Sequence, residues 1–465
     1  MWLALLIVLY LLSALGIVTS LLLNGVRPSK TLAWLLAIFT IPVGGMFLYL
    51  LVGRNRRQQK LYRQYFRLPP PAPAGAGNPL DPDSPDGRLS HLIAKHAGYP
   101  LSADNRVTIL KDGEQTFTRI FQALERAQHT IHIQYYIFEE GELAERLFRL
   151  LARKEAEGVE VRLIYDSIGS YSLSKTYLKR LALVGIEAYS FLPFRFGKFL
   201  VSLNYRNHRK IIVADGRVAF TGGINVSDKY IKGDKRLGMW HDMNMMVEGS
   251  GARHLDTVFL NDWELVSGLR VDLPQGQMAP ANGQTRVQIL ATSPDDNFPL
   301  MEQLYFALIN GARHHIYITN PYLIPSQAIQ TALQTAAMSG VDVRVLVSAK
   351  ADSRLVNWCV QSYFQRFLKA GIRIFRYPEG FLHSKIITVD DRVSTIGTAN
   401  VDNRSFQHNY EVNAVIYDRE TAVALRDDFL EDSRKSFEVD LELFERRPWT
   451  FRLAEGAART ISPLL

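Results

Sequence analysis

Two short stretches of the chain carry the same three polar residue types at the same spacing. HRKIIVAD runs from His208 to Asp215, and HSKIITVD runs from His383 to Asp390. A chance match to His, one residue, Lys, four residues and Asp is expected roughly a few hundredths of a time in a chain of this length. The second copy therefore indicates a duplicated functional unit.

The histidine and the lysine of each motif are placed to act together. The apolar, β-branched residues that follow them are typical of a buried strand. Residues two apart on a strand share a face, so His208 lies beside Lys210 and His383 beside Lys385. An imidazole can attack phosphorus or carry a proton, and a nearby ammonium group stabilises negative charge on a phosphate.

Asp215 and Asp390 complete the two motifs. Each lies five residues after the lysine, an odd step that directs the carboxylate to the other face of the strand. The next residues, Gly216 and Asp391, are typical of turns. We therefore include both acids in the catalytic motifs but expect them to hold the turns rather than contact the substrate.

A return strand after each motif leads to a matching asparagine and then to a matching acid. Asn225 closes GGIN and Asn400 closes GTAN, where small residues let an amide approach a bound group closely. Asp242 in HDMN and Glu411 in YEVN follow. A buried carboxylate commonly orients an imidazole and stabilises its charged form. We predict that the asparagines bind a substrate phosphate and that the acids orient the histidines.

The elements around the motifs repeat as well. Strand, helix and strand patterns occur in TIHIQYYIF, ELAERLFRLLARKEAEG and VEVRLIYD, and again in HIYITNPYLI, QAIQTALQTAAMSG and VDVRVLVS. They predict an α/β fold of two duplicated lobes, residues 104–285 and 286–440, around a pseudo-two-fold axis. One cleft would then hold two imidazoles, two ammonium groups, two amides and two acids. This set is sufficient for phosphodiester exchange without a metal.

The first 67 residues differ from the rest in hydropathy. Trp2–Leu23 and Thr31–Val52 each contain 22 residues without a charge, enough for a helix to cross the bilayer hydrocarbon. We predict a two-helix transmembrane hairpin within residues 1–67. A signal peptide is the alternative interpretation of the first span, but a basic n-region and a clear cleavage site are missing from it.

The net charge of +8 resides in the same N-terminal part, which contains eight basic residues and no acidic ones. The remaining residues hold 46 basic and 46 acidic side chains. This distribution favours anionic lipid headgroups over nucleic acid as the partner. Most of the N-terminal cations follow the second span, so the positive-inside rule places the catalytic part in the cytoplasm.

Three further features bound the organisation of the chain. Residues 68–103 begin with LPPPAPAGAGNPLDPDSPDG, whose Pro and Gly content is typical of a linker, and we expect a linker and lead-in there. Residues 441–465 are expected to form a membrane-proximal tail. Cys359 is the only cysteine, which excludes an intrachain disulfide and a thiolate metal cluster.

With these motifs the chain resembles the phospholipase D superfamily, whose signature is the paired motif with the downstream Gly and Asn. The two-span N-terminus, GMWHDM and the C-terminal RRPW and SPLL are similar to bacterial cardiolipin synthases within that superfamily. The resemblance implies two phospholipase D-like lobes in a multi-pass protein of the bacterial inner membrane. It also implies transfer of a phosphatidyl group between two phosphatidylglycerol molecules through a phosphohistidine, with His208 as nucleophile and without a metal or nucleotide cofactor.

Other activities of the superfamily fit the same residues. A phospholipase D would use water as the acceptor, and a phosphatidylserine synthase would use a nucleotide-activated lipid and serine. The balanced charge after residue 67 disfavours a nuclease, and the intact histidines and lysines disfavour an inactive scaffold. We expect phosphatidylglycerol and anionic membrane lipids as partners, and the sequence leaves the oligomeric state open.

One segment of the first lobe suits a membrane surface. FLPFRFGKFLVSLNYR, residues 191–206, mixes aromatic and aliphatic residues with cations. The alternative is a core loop whose cations reach solvent. Docking on a bilayer would create a water-poor setting in which transfer to a lipid hydroxyl outruns hydrolysis. The predicted membrane-contacting residues are Phe194, Arg195, Phe196, Lys198 and Phe199.

Overall fold

A computed structural model describes residues 2–23, 28–49, 80–192, 205–272, 283–460 and 462. The five predicted membrane-contacting residues lie outside these ranges. The described chain divides into two compact units, one formed by the N-terminal helices and the other by the residues from 80 onward.

The N-terminal unit contains three helices: α1 (Trp2–Leu23), α2 (Pro28–Thr40) and α3 (Pro42–Leu48). Within the stretch predicted as the second span, the helix is interrupted at Ile41, whose φ is −126° and ψ is 76°. Pro42 has no N–H to donate to the carbonyl four residues earlier, and its ring disfavours a helical residue before it. The carbonyl left over, that of Ile38, accepts a hydrogen bond from the Tyr10 hydroxyl at 2.9 Å.

Within the described residues, no helix combines the length and the apolar character needed to cross a membrane. The predicted transmembrane hairpin is therefore not confirmed by the structure.

The second unit alternates strands and helices. Its strands are β1 (Ser102–Leu110), β2 (Thr130–Tyr135), β3 (Glu160–Asp166), β4 (Glu187–Phe191), β5 (Arg206–Asn207), β6 (Ile211–Ala214), β7 (Val218–Gly222), β8 (Trp240–His241), β9 (Asn244–Glu248), β10 (Thr285–Thr292), β11 (His315–Thr319), β12 (Asp342–Ser348), β13 (Arg373–Tyr377), β14 (Phe381–Leu382), β15 (Ile386–Val389), β16 (Val393–Gly397), β17 (Asn409–Tyr417) and β18 (Phe437–Glu438). Its helices are α4 (Pro85–Ala97), α5 (Gly113–Arg126), α6 (Glu142–Ala156), α7 (Lys175–Leu183), α8 (Lys229–Lys232), α9 (Ser250–Ser267), α10 (Leu300–Asn310), α11 (Gln327–Met338), α12 (Arg354–Lys369), α13 (Asn403–Gln407), α14 (Arg419–Arg434), α15 (Leu441–Glu445) and α16 (Trp449–Thr460).

Outward from its centre, the sheet repeats the same series of strands in both directions, with β18 added at one edge. Its order is β18-β13-β12-β11-β15-β16-β17-β10-β1-β9-β7-β6-β2-β3-β4, and β5 pairs with β17. β1 and β10 form an antiparallel pair in the middle, and each neighbour of β1 has its counterpart on the side of β10. A pseudo-two-fold axis between two duplicated halves produces this order. The predicted α/β class with two similar lobes is confirmed.

The two motif strands, β6 and β15, lie deep in this sheet. All four residues of each strand are buried. Ile211, Val213 and Ile386 belong to one apolar cluster that also includes Leu255 of α9 and Leu425 of α14. Because this cluster draws on both halves, the motif strands are held in one shared core.

Part of the segment predicted as linker and lead-in is folded. Leu89 and Ile93 of α4 pack in the core of the second half. The Ser84 side chain caps the start of the helix by accepting from the Gly87 N–H at 3.0 Å, and Gly98 ends it with a φ of 81°. The cap and the C-terminal glycine are helix signals that the high Pro content upstream obscures.

The C-terminal tail also packs on the second half. Arg447, just before α16, donates to the Gln361 side chain of α12 at 3.0 Å. Lys369 of the same helix forms an ion pair with Glu445 at 2.8 Å. Residues 441–460 thus extend the second lobe.

Candidate active site

Each motif histidine follows a two-residue strand that pairs with the opposite half. β5 runs parallel to the start of β17, and β14 runs parallel to β8. The backbone N–H groups of the two histidines continue this pairing, donating to the carbonyls of Tyr410 at 2.9 Å and His241 at 2.8 Å. These carbonyls immediately precede Glu411 and Asp242. The register therefore places each imidazole beside the acid of the other half.

The side chains complete this exchange. His208 Nδ1 lies 3.0 Å from Glu411 Oε2, and His383 Nδ1 lies 2.7 Å from Asp242 Oδ2. Both acids are fully buried, whereas the histidines are 8% and 7% exposed. A carboxylate that accepts from Nδ1 fixes the ring and leaves Nε2 for chemistry. The acids lie where the sequence pattern places them, and their crosswise assignment comes from the strand register.

The two lysines lie beneath the histidines and are almost completely buried. Lys210 donates to the His208 carbonyl at 2.7 Å, and Lys385 donates to the carbonyl of His383. Burial lowers the pKa of Lys210 to about 7 and that of Lys385 to about 8, although Glu411 and Asp242 oppose the change. Two ammonium groups that are costly to bury favour a bound anion in the cleft.

Burial and neighbouring charges shift the pKa values of the two histidines and of Glu411. Burial, and after it the charge of Lys385, lowers the pKa of His383 to about 3. Burial also lowers the pKa of His208, against the attraction of Glu411. For Glu411, burial alone would raise the pKa, but His208 and Lys210 outweigh it and lower the value to about 2. Neutral imidazoles and an ionised Glu411 follow.

The asparagines lie at equivalent positions after β7 and β16 but are held differently. Asn225 Oδ1 accepts from the Ile137 N–H at 3.1 Å, and its Nδ2 donates to the Tyr230 hydroxyl at 3.1 Å. The backbone N–H of Asn400 donates to Ser405 Oγ at 3.0 Å. Both side chains are buried.

Asp215 and Asp390 lie at the far ends of the motif strands from the histidines. They have φ angles of 53° and 54°, a conformation that Asp tolerates. Each carboxylate accepts three backbone N–H bonds at 2.7–2.9 Å, from Gln128, His129 and Thr130 in the first half and from Arg313, His314 and His315 in the second. The acids brace the turns, in agreement with their odd spacing, and lie away from the imidazoles.

One difference between the halves lies behind the two acids. Thr398 Oγ1 donates to Glu411 Oε2 at 2.5 Å, and Asn409 Nδ2 donates to Oε1 at 3.1 Å. Gly223 stands at the position of Thr398 in the first half, and a Cβ there would overlap the Asp242 carboxylate. The difference is visible in the sequence as the second residue of GGIN and of GTAN.

Aromatic side chains, which the sequence analysis also missed, surround His383 more than His208. The ring of His383 has four aromatic neighbours at centroid distances of 5.3–6.5 Å, namely Trp240, Phe381, Tyr230 and Tyr322. The Tyr230 hydroxyl lies 3.3 Å from His383 Nδ1. Tyr136 packs edge-on against His208 at 4.8 Å. The contacts of Tyr230, Trp240 and Tyr322 with His383 carry no local sequence signal, because these residues lie on separate elements and loops that meet only in the folded chain.

Known proteins share this arrangement of motifs. Residues 120–263 and 305–433 match a family described as "Cardiolipin synthase, PLD-like domain", and residues 2–54 match one described as "Phospholipase_D-nuclease N-terminal". Among solved structures, a phosphatidylserine synthase from Haemophilus influenzae has a TM-score of 0.63 at 13% identity, covering 81% of this chain and 99% of its own. At that identity the likeness concerns the fold.

Two relatives are similar over nearly the whole chain. A cardiolipin synthase of Geobacillus kaustophilus is 40% identical, covering 94% of this chain and 89% of its own length. Cardiolipin synthase 2 of Bacillus anthracis is 38% identical, covering 94% of this chain and 87% of its own. With both motifs present and each histidine paired to a buried acid, the chain belongs to the phospholipase D-like cardiolipin synthase family of enzymes.

Proposed function

We propose that this protein transfers a phosphatidyl group from one phosphatidylglycerol to another, giving cardiolipin and glycerol. The observation that carries the proposal is the pair of buried imidazoles, each bound through Nδ1 to an acid of the other half. Two equivalent rings in one core provide a nucleophile and a proton carrier at once.

The reaction runs in two displacements at phosphorus. Nε2 of His208 attacks the first lipid, and the bond to the headgroup glycerol breaks as His383 gives its Nε2 proton to the leaving oxygen. A hydroxyl of the second lipid then attacks the phosphohistidine, its proton passes to His383, and the bond between phosphorus and His208 breaks. The assignment of His208 as nucleophile rests on the family resemblance.

The other predicted residues stabilise charge in this scheme. Lys210 and Lys385 bind the phosphate oxygens, and the amides of Asn225 and Asn400 donate to them. The phosphate anion opposes the burial that lowers the pKa values of both lysines and of His383. Substrate binding therefore supplies the charge that keeps the lysines and the proton-carrying imidazole protonated.

The reaction is tested with purified protein and phosphatidylglycerol vesicles, with products identified by mass spectrometry. Cardiolipin and glycerol are expected in equal amounts. Phosphatidic acid as the main product would identify a hydrolase, and product formed only after addition of serine and a nucleotide-activated lipid would identify a serine transferase. Either result would contradict the proposal.

The N-terminal part anchors the enzyme in the bacterial inner membrane as a hairpin, with the catalytic unit in the cytoplasm. This is supported by the uncharged stretches Trp2–Leu23 and Thr31–Val52 of the sequence, by the family match over residues 2–54 and by the basic residues that follow. Phosphatidylglycerol of the inner leaflet would then be the substrate pool. The composition of the segment that holds Phe194, Arg195, Phe196, Lys198 and Phe199 supports contact of these residues with the same surface.

Topology is tested with single cysteines in intact cells after Cys359 is replaced. A membrane-impermeant thiol reagent should modify a cysteine at Ser29 and spare one at Asp83, which is exposed at the start of the catalytic unit. The reverse labelling pattern would place the enzyme on the outer face.

A further inference from the structure

The two asparagines of the cleft are not equivalent, although the duplication repeats them. Asn225 has both ends of its amide engaged, by the Ile137 N–H and by the Tyr230 hydroxyl. Asn400 is only 6% exposed, and its buried Oδ1 has no hydrogen-bond partner among the residues that the structure describes. Native structures rarely leave a buried amide oxygen unsatisfied, so this atom calls for a ligand.

The cause lies in two side chains that differ between the halves. The N–H that corresponds to Ile137 is that of Tyr322, and it donates to Asn320 Oδ1 at 3.2 Å. The same oxygen accepts from the Val401 N–H at 3.2 Å. Asn320 has thus taken the backbone donor that would otherwise satisfy the oxygen of Asn400.

The second contact is lost in a similar way. Ser405 stands five residues after Asn400, as Tyr230 stands five residues after Asn225. Ser405 is too short to reach the amide and instead accepts from the backbone N–H of Asn400. The side-chain amide is therefore free of both contacts that tie down its counterpart.

A carbonyl oxygen selects its ligand by chemistry. It accepts hydrogen bonds only, so a phosphate oxygen cannot satisfy it, whereas a hydroxyl can. We propose that Asn400 Oδ1 accepts a hydrogen bond from the second hydroxyl of a vicinal diol whose first hydroxyl attacks phosphorus. The Nδ2 of the same amide donates to a phosphate oxygen, so one side chain aligns the acceptor with the phosphate.

This inference rests on the proposed transfer reaction and adds recognition of the acceptor. The glycerol headgroup of phosphatidylglycerol carries such a diol, while an acceptor with one hydroxyl leaves Oδ1 unsatisfied. A site built to bond a hydroxyl rejects an analogue that lacks it, because a buried polar group is then unpaired. The structure assigns the choice of a diol over a simple alcohol to Asn400.

The experiment is a competition between two matched alcohols. The full-length enzyme receives phosphatidylglycerol with equal concentrations of 1,2-propanediol and 1-propanol, which differ by one hydroxyl. Mass spectrometry gives the ratio of phosphatidylpropanediol to phosphatidylpropanol. Both products come from the same phosphoenzyme, so the ratio is independent of how fast that species forms.

Three variants separate the hydroxyl contact from phosphate binding. Asn400→Ala should lower the diol preference about tenfold, roughly the worth of one lost hydrogen bond to a buried group. Asn400→Asp keeps an acceptor oxygen and should retain the preference while turnover falls. Asn225→Ala is the matched control, which should slow both products and leave the ratio unchanged.

Two outcomes would overturn the assignment: a wild-type enzyme with no diol preference, or an Asn400→Ala enzyme with the wild-type ratio. Thermal melts identify any variant that fails to fold. If Asn400→Ala does not fold, the product ratios of the wild-type enzyme and of Asn400→Asp still test the contact. If phosphatidylglycerol alone gave phosphatidic acid but the ratio still depended on Asn400, the proposed function would fail and the diol site would stand.

Discussion

The two sides of the cleft share a backbone and differ in what surrounds each histidine. On the His208 side, Glu411 is held by Thr398 and Asn409 in a polar network. On the His383 side, the shorter Asp242 lies against Gly223, and aromatic rings enclose the imidazole. Duplication thus preserved the strand register, while side chains diverged to give a polar side and an aromatic side.

The residue between the histidine and the lysine of each motif extends the difference. The buried guanidinium of Arg209 donates to Asp262 at 2.6 Å, to the Thr292 carbonyl at 2.8 Å and to the Glu411 carbonyl at 3.2 Å. In the second motif Ser384 has a single contact with the His241 carbonyl, at 3.4 Å. The side proposed to carry the nucleophile is the more rigidly braced one.

The largest effect should come from removing either histidine, and it should be the same on both sides. His208→Ala and His383→Ala should each reduce cardiolipin formation by about a thousandfold or more, because neither half holds both catalytic rings. Product formation by mass spectrometry measures the loss. His314→Ala, which alters an exposed imidazole, is the control. Substantial activity in either variant would contradict a single shared site and indicate that each half is catalytically complete.

Replacing each acid by its amide tests the crosswise pairing. Glu411→Gln and Asp242→Asn should each lower turnover by about a hundredfold or more, since a neutral amide no longer stabilises an imidazolium. Glu411→Gln should also leave Thr398 or Asn409 without a hydrogen-bond acceptor, because one carboxylate oxygen becomes an NH₂ group. In a phosphoenzyme trap with labelled lipid, Glu411→Gln should slow formation of the label on His208. Unchanged trapping in that variant would argue against the pairing.

Space behind the acids should matter on one side alone. Gly223→Ala places a methyl group against Asp242 and should lower turnover by about tenfold to a hundredfold, because the acid must move away from His383. Thr398→Ala removes one hydrogen bond and should cost about tenfold or less. Gly456→Ala, at an open helical position, is the control. A smaller loss for Gly223→Ala than for Thr398→Ala would reverse the contrast.

The lowered pKa values of the two lysines predict that the KM for lipid depends on pH. Lys210, on the polar side, should lose its charge first as the pH rises. The pKa values are lowered to about 7 for Lys210 and about 8 for Lys385, so positive charge is lost as the pH rises. The KM for lipid should rise several-fold between about pH 7 and pH 9 as phosphate binding weakens. Lys435→Ala, an exposed change, should leave the profile intact. A KM constant over this range would contradict charged lysines as the phosphate ligands.

The smallest effect on catalysis should come from the turn acids, where the two halves are alike. Asp215→Ala and Asp390→Ala each leave three backbone N–H groups without their acceptor at a positive φ. Each should lower the free energy of unfolding by about 1–3 kcal/mol, measured by chemical denaturation. The activity of the folded fraction should stay near wild type. A loss of activity comparable with that of the histidine variants would place these acids in the cleft.

Much of the fold and of the site was predictable because it follows from the local spacing of apolar and polar residues. The strand and helix patterns and the odd step to the turn acids follow from backbone geometry. The motif histidines and lysines precede β6 and β15 instead of lying within them, so strand alternation does not account for their proximity. The break at Pro42 was predictable in principle, since a missing N–H is a property of the residue alone.

Other features depend on contacts between distant parts of the chain. The pairing of His208 with Glu411 arises from the register of β5 on β17, which brings together two residues that lie 203 positions apart in the sequence. The aromatic rings around His383 come from both halves, since Tyr230 lies on α8 and Tyr322 follows β11. The Tyr322 N–H donates to the side-chain oxygen of Asn320, and the sequence alone does not reveal that this oxygen is nearer than that of Asn400. Sequence spacing within one motif cannot reveal these.

The crosswise register of β5 and β14 has a consequence for how such an enzyme could arise and fail. A single half contains a histidine and an acid that do not serve each other, so two identical copies associated about a two-fold axis would complete two such pairs. Fusing two such copies into one chain would make their association permanent and would let the side chains of each half diverge. In the single chain, substitution of an acid in one half disables the histidine of the other half, so neither half is catalytically complete without the other.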